Sequence, residues 1–129
     1  MSMKKVKVKY ESHIFQEDNV DKFIDTTIGE VNEEGNQISF LLTQDNVKEL
    51  VTFIYAEDKV MIQRKNYTLT FIENELVECE NNTEYGVITL HTRLKKRLRL
   101  ENQFVINYEL LIGNDSIGSY VIKISYEED

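Results

Sequence analysis

The chain predicts an all-β fold, a single antiparallel up-and-down β-barrel of about 8–10 strands with little or no helix. Three observations carry this. Phe104, Ile106, Tyr108, Leu110 and Ile112 take one parity in a stretch that alternates almost without error between apolar and polar residues. Gly118, Tyr120, Ile122, Ile124 and Tyr126 continue the same parity after a Gly113-Asn114-Asp115 break. A two-residue period places all of them on one face of a β-hairpin. Shorter alternating segments, rich in Val, Ile, Thr, Tyr and Phe, recur along the rest of the chain, and such residues suit a pleated, half-buried surface. Turn-forming clusters separate these segments, proline is absent, and no Gly/Ser linker interrupts them. Strands with one apolar face must close on themselves or stack, and short consecutive hairpins favour closure.

Taken in order, Val6, Val8 and Tyr10 oppose Lys5, Lys7 and Lys9. Phe23 to Val31 is mixed, with apolar residues at both parities. After Glu33-Glu34-Gly35-Asn36, the residues Ile38, Phe40 and Leu42 form a face. Beyond Gln44-Asp45-Asn46 the reading divides. Val47, Leu50, Val51 and Ile54 fall at helical spacing, and Asn46 with Glu49 imitates a capping box. Against a helix stand Val51, Thr52, Phe53, Ile54 and Tyr55, whose β-branched and aromatic side chains crowd the preceding turn. A strand is expected here, with a helical turn near Asn46 to Leu50 left open.

Breaks at Glu57-Asp58, Glu73-Asn74, Asn81-Asn82 and Glu101-Asn102 divide the remainder. Between them Tyr67, Leu69 and Phe71 form a face, as do Gly86, Ile88 and Leu90, and Leu94, Leu98 and Leu100 oppose Arg93, Lys95, Arg97 and Arg99. The last hairpin permits a finer expectation. Opposed residues share a face, so its two even-numbered apolar sets meet only across a loop of odd length. Gly113-Asn114-Asp115, or a five-residue version, would set Tyr108 against Tyr120, Ile106 against Ile122 and Phe104 against Ile124.

A length of 129 residues corresponds to one domain, spanning 1–129. No apolar run approaches the ~20 residues of a membrane helix. Lysines interrupt the apolar residues of Met1 to Tyr10, so that stretch does not read as a secretory signal. Cys79 is the one cysteine. A cytoplasmic setting is therefore expected, with no membrane association, as a monomer or homodimer. The net charge of −8 disfavours general nucleic-acid binding. Nine of the fifteen Lys and Arg nevertheless sit in two stretches: Lys4, Lys5, Lys7 and Lys9, then Arg93, Lys95, Lys96, Arg97 and Arg99.

The segments Val60-Met61-Ile62-Gln63-Arg64 and Thr83-Glu84-Tyr85-Gly86-Val87-Ile88-Thr89-Leu90, with Thr92, Ile106-Asn107-Tyr108-Glu109-Leu110 and Tyr120 to Glu127, carry a family resemblance. In their order and spacing, residues 60 to 127 resemble the YwiB-like group of uncharacterised bacterial proteins, described as calycin-like (lipocalin-like) β-barrels. The resemblance implies the barrel and a bacterial cytoplasmic setting, and it supplies no activity.

Arg64 shares a parity with Val60 and Ile62 and is expected in the barrel or at its mouth. There its fork of donors would either fix an anionic group or pair with an internal Glu. Lys96 interrupts Leu94, Leu98 and Leu100; it either enters the lumen or is turned outward by a bulge. Tyr85, Tyr108, Tyr120 and Tyr126 could line a pocket or pack in the core. Arg64, Tyr85, Lys96, Tyr108 and Tyr120 are thus the candidate ligand-binding residues for a small amphipathic or anionic molecule. The alternative is an anionic macromolecule, RNA or acidic protein, bound by Arg93, Lys95, Arg97 and Arg99 on one outward strand face.

Catalysis is not expected. His13 and His91 have no neighbours at metal-ligand spacing, and Cys79 lies between Glu78 and Glu80, which discourage a thiolate. No phosphate loop or nucleophile elbow is present, so no cofactor and no metal are expected.

Overall fold

In the computed structural model, which describes residues 3–128, successive strands hairpin back on one another. They are β1 (Met3–Gln16), β2 (Asn19–Asn32), β3 (Gln37–Gln44), β4 (Val47–Tyr55), β5 (Val60–Gln63), β6 (Thr68–Phe71), β7 (Leu76–Thr83), β8 (Gly86–Leu100), β9 (Gln103–Ile112) and β10 (Asp115–Glu128). The sheet order is β6-β5-β4-β3-β2-β1-β10-β9-β8-β7, antiparallel at every ladder. Apart from β6 and β7, strands that are consecutive in the chain pair with each other, and β1 pairs with β10. The two edges, β6 and β7, are themselves consecutive. They meet through an isolated bridge between Tyr67 and Asn81 and a hydrogen bond of 3.0 Å from the Asn82 N–H to the Asn66 carbonyl. The result is a nearly closed ten-stranded barrel. Helix is absent from the described residues, so none there is long and apolar enough to cross a membrane. Met1 and Ser2 of the basic amino-terminal stretch lie outside the described residues.

The mixed segment Phe23 to Val31 resolves in favour of its odd residues. Phe23, Gly29 and Val31 face inward, and Ile24 and Ile28 are left exposed outside. Gly29 explains why. A Cβ there would lie 2.5 Å from the Ser39 carbonyl oxygen and 2.8 Å from a Val8 methyl, so only glycine permits this approach of β2 to β3.

The contested segment is strand throughout. Asp45 and Asn46 take φ of 53° and 66°, a two-residue hairpin turn, and β4 begins at Val47. The helical turn left open near Asn46 to Leu50 is not formed. Glu49 is drawn instead to the inner face, where Arg64 binds it. Asn81 and Asn82 are also not a turn. They lie within β7, held against β6, and the reversal comes at Glu84-Tyr85, where Thr83 opposes Gly86.

The last hairpin has the expected pairs: Tyr108 with Tyr120, Ile106 with Ile122 and Phe104 with Ile124. Its odd count arises differently. Gly113-Asn114 is a two-residue turn between Ile112 and Asp115, and a bulge at Ile117 supplies the extra residue. A second bulge, at Lys95, lies between Leu94 and Lys96 on β8 and reverses the parity of everything after it. Leu98 and Leu100 consequently face solvent, contrary to the single alternating face read from the sequence. Arg97 and Arg99 oppose Ile106 and Phe104 on the inner side.

These two arginines close one end of the barrel. Arg97 donates to the carbonyls of Ala56 at 2.8 Å and Glu57 at 2.5 Å, and its Nε donates to Glu73 Oε1 at 2.7 Å. Its guanidinium lies 5.1 Å from the centre of the Tyr55 ring. Arg99 donates to the carbonyls of Glu34 and Gly35 at 3.0 and 3.1 Å and lies 5.8 Å from the Phe104 ring. Below them Phe53, Tyr55, Phe104 and Tyr126 pack ring on ring, and Val6, Val8, Phe40 and Ile124 complete a dense core. Burial of this apolar surface is the main stabilising contribution. The packing leaves the opposite end, where the β1–β2, β3–β4, β5–β6, β7–β8 and β9–β10 turns gather, as the place for a site.

Candidate functional site

A cavity of about 650 Å³ enters the barrel from that end. Its wall is largely aliphatic, including Leu42, Ile62, Leu69, Leu110 and Ile122, with Tyr10, Tyr67, Tyr108, Tyr120 and Arg64 set into it. Asp21 and Lys22, with exposed Ile88 and Ile112, lie at the mouth.

Arg64 follows the buried Val60 and Ile62 of β5 into the lumen before the chain turns at Lys65-Asn66. Its Nη2 donates to Glu49 Oε1 at 2.7 Å, and Glu49 Oε2 accepts the Lys65 N–H at 3.0 Å. Burial alone would raise the Glu49 carboxyl. The hydrogen bonds from Arg64 and Lys65, with their charges, outweigh it and hold the carboxyl below its ordinary value. Burial likewise opposes the guanidinium, but the bond to Glu49 prevails and raises it. Both groups are therefore charged, and they neutralise each other. The guanidinium carbon lies 6.0 Å from the centre of the Tyr67 ring, and Nε meets no acceptor among the described residues.

Tyr108 and Tyr120 oppose each other across β9 and β10. Their rings stack with centroids 5.1 Å apart and 5° between planes, and the tilted Phe71 ring lies 4.5 Å from that of Tyr108. Burial pushes the Tyr108 phenol well above its ordinary value, with the nearby Tyr10 and Tyr67 adding to the effect. Burial raises Tyr10 and Tyr120 in the same direction. These hydroxyls stay protonated, so the lumen presents them as neutral donors and acceptors.

Arg64, Tyr108 and Tyr120 thus come together as the sequence suggested. Tyr85 does not join them. It sits at the tip of the β7–β8 turn, 92% exposed, because the two-residue reversal places it beyond the barrel wall. Lys96 is also outside the lumen: the bulge at Lys95 turns it to the outer face, opposite Asn107. The same bulge divides the basic strand. Arg93 is outside, bound to Glu109 at 3.0 Å, and the Lys95 Nζ donates to Ser119 Oγ at 3.1 Å, whereas Arg97 and Arg99 turn inward. The four do not form one outward face. Tyr126 packs against Phe104 at the closed end.

Three site residues escaped the sequence reading. In the sequence Glu49 imitates part of a capping box with Asn46, although its odd parity with Val51 and Phe53 places it inside a strand-built barrel. Tyr10 and Tyr67 carry no sequence signal beyond their strand parity. Neither histidine joins the site: His13 Nε2 lies 2.9 Å from Glu11 Oε2 on the surface, and His91 is away from the lumen on β8. No cluster of three potential metal ligands occurs among the described residues. Cys79 is buried at the β6–β7 seam, where its sulfur lies 3.5 Å from the Thr70 N–H.

Neither a protein-family model nor a curated protein sequence matches the chain. Among solved structures it is similar to the YwiB protein from Bacillus subtilis, with a TM-score of 0.77 and 18% identity, over 98% of this chain and 93% of that one. The barrel therefore has the YwiB fold.

Proposed function

We propose that the protein is a noncatalytic binding barrel that takes a small amphipathic molecule into its open end. The cavity of about 650 Å³ carries this reading. It falls within the roughly 300–1,000 Å³ typical of small-molecule sites, and it combines an apolar wall with a few convergent polar groups. The apolar body of a ligand would lie against Leu42, Ile62, Leu110 and Ile122. Its polar end would meet the hydroxyls and the Arg64–Glu49 pair. The cavity is already formed in the folded barrel, and a preformed wall lowers the ordering cost of binding.

The basic strand gives less support to an anionic macromolecule. Arg93, Arg97 and Arg99 each bond carboxylates or carbonyls of this chain, and they point to different faces.

Titration with prodan, an uncharged naphthalene ketone whose emission shifts to the blue in apolar surroundings, tests the proposal. Saturable blue-shifted emission is expected from the wild type, and Leu110→Trp, which fills the cavity, should abolish it. Emission that stays unshifted in the wild type, or that survives a folded Leu110→Trp, counts against the lumen as the site.

A further inference from the structure

Taking the lumen as a ligand site, as proposed above, we infer that it selects molecules with an uncharged hydrogen-bonding head, an amide, alcohol or ester, over carboxylates and amines of the same length. The charge balance inside the wall supports this. Arg64, the obvious anchor for an anion, already has its charge matched, its Nη2 lying 2.7 Å from Glu49 Oε1, while its unpaired Nε offers a donor that a neutral acceptor can meet. Glu49 in turn is held by both Arg64 and the Lys65 N–H, so it is not free for a cation. Asp21 and Lys22 lie at the exposed mouth, and the other polar groups of the wall are neutral, namely the hydroxyls of Tyr10, Tyr67, Tyr108, Tyr120 and Ser12 and the amides of Gln44 and Asn81.

A charge of either sign carried past Asp21 and Lys22 into the wall would lose its hydration and find no unpaired counter-charge there. A neutral head loses less and finds donors and acceptors in the tyrosine hydroxyls. The turns around the mouth add a weaker bias against anions. They carry Glu17, Asp18, Asp45 and Glu84 against Lys65, although salt screens such exposed charges beyond about 8–10 Å.

Glu49 is the selectivity-determining residue in this account. If it is replaced by a neutral isostere, Arg64 is left without its counter-charge, and a ligand carboxylate becomes the natural partner for the planar fork.

Amide chemical-shift titration of 15N-labelled protein with decanamide, decanoate and decylammonium at pH 8 tests the inference. Decanamide is expected to bind at least about tenfold more tightly than either charged probe, a ratio in keeping with an uncompensated buried charge. In Glu49→Gln the affinity for decanoate is expected to rise about tenfold or more. Decanoate or decylammonium binding the wild type as tightly as decanamide overturns the neutral-head inference while leaving the lumen reading intact. No lumen shifts with any probe overturns both. If Glu49→Gln does not fold, the ranking of the three probes on the wild type still decides the question. If the variant folds and gains nothing for decanoate, Glu49 is not the discriminating group.

Discussion

Thr92 Oγ1 donates to the carbonyl oxygen of Thr70 at 2.5 Å, and Thr92 is fully buried. The Thr70 N–H points to Cys79 Sγ at 3.5 Å. β6 and β7 are the edges of the sheet, so both main-chain groups of Thr70 face a gap where no backbone ladder runs. Side chains from β7 and β8 satisfy them, and the seam closes without a full ladder. An open edge would otherwise leave unpaired groups ready to pair with another chain.

Thr92→Val keeps the shape and removes the donor, stranding the Thr70 carbonyl. A loss of about 1–3 kcal/mol is expected from urea denaturation, and Thr92→Ser should recover most of it. Unchanged stability in Thr92→Val would show that water replaces the hydroxyl at the seam.

Arg97 holds two turns and a ring at the closed end, with its side chain largely buried. Arg97→Ala leaves the Ala56 and Glu57 carbonyls without this donor and uncovers Tyr55. Its thermal midpoint should fall, with a cost of about 1.5–3 kcal/mol, the range for hydrogen bonds to charged groups. Arg97→Lys should restore little, because a point charge cannot serve both carbonyls and stack on the ring. Full rescue by lysine would refute the geometric reading.

Gly29→Ala places a methyl group 2.5 Å from the Ser39 carbonyl oxygen. The backbone of β2 or β3 must shift, and overpacking of this kind costs about 1–3 kcal/mol. Equilibrium denaturation reads it directly. A neutral result would mean that β2 yields without disturbing Val8 and Phe40.

Stability should fall at both ends of the pH scale for separate reasons. The Glu49 carboxyl titrates below its ordinary value in the fold. Its contribution is therefore present above the unfolded carboxylate value of about 4.3 and is lost as pH falls through the folded value. The Tyr108 phenol titrates well above its ordinary value. Its contribution is present below the unfolded value of about 10 and is lost as pH rises through the folded value. Urea midpoints measured against pH should show a flatter acid limb in Glu49→Gln and a flatter alkaline limb in Tyr108→Phe. Limbs that match the wild type would assign the pH dependence to other groups.

The barrel was legible in the sequence because alternation is a local property. Val6, Val8, Phe104, Ile106 and Ile124 announce their face whatever lies across from them, and each is buried as its parity requires. What was not legible depends on single extra residues. The bulge at Lys95 is marked in the sequence only by Lys96 interrupting Leu94, Leu98 and Leu100. That mark accounts for Lys96 turning outward but not for the reversed parity beyond it, which sends Leu98 out and Arg97 in and overturns the expected basic face. The bulge at Ile117 went unseen too, although the pairs it produces were anticipated from parity alone. Arg64 was found because it extends an apolar parity. Its partner Glu49 was missed because Asn46 and Glu49 imitate a helix cap; once β4 is a strand paired with β5, Glu49 lies on the same face as Arg64, just beyond the ladder.

Mapping where an uncharged amphipathic probe perturbs the amide spectrum tests the central claim most directly. With decanamide, saturable shifts are expected at Ser12, Leu110 and Tyr120 around the open end, while Arg97, Arg99 and Asn102 at the sealed end stay fixed. Shifts confined to the outer faces, or none at millimolar probe, would contradict a lumen built to hold a ligand.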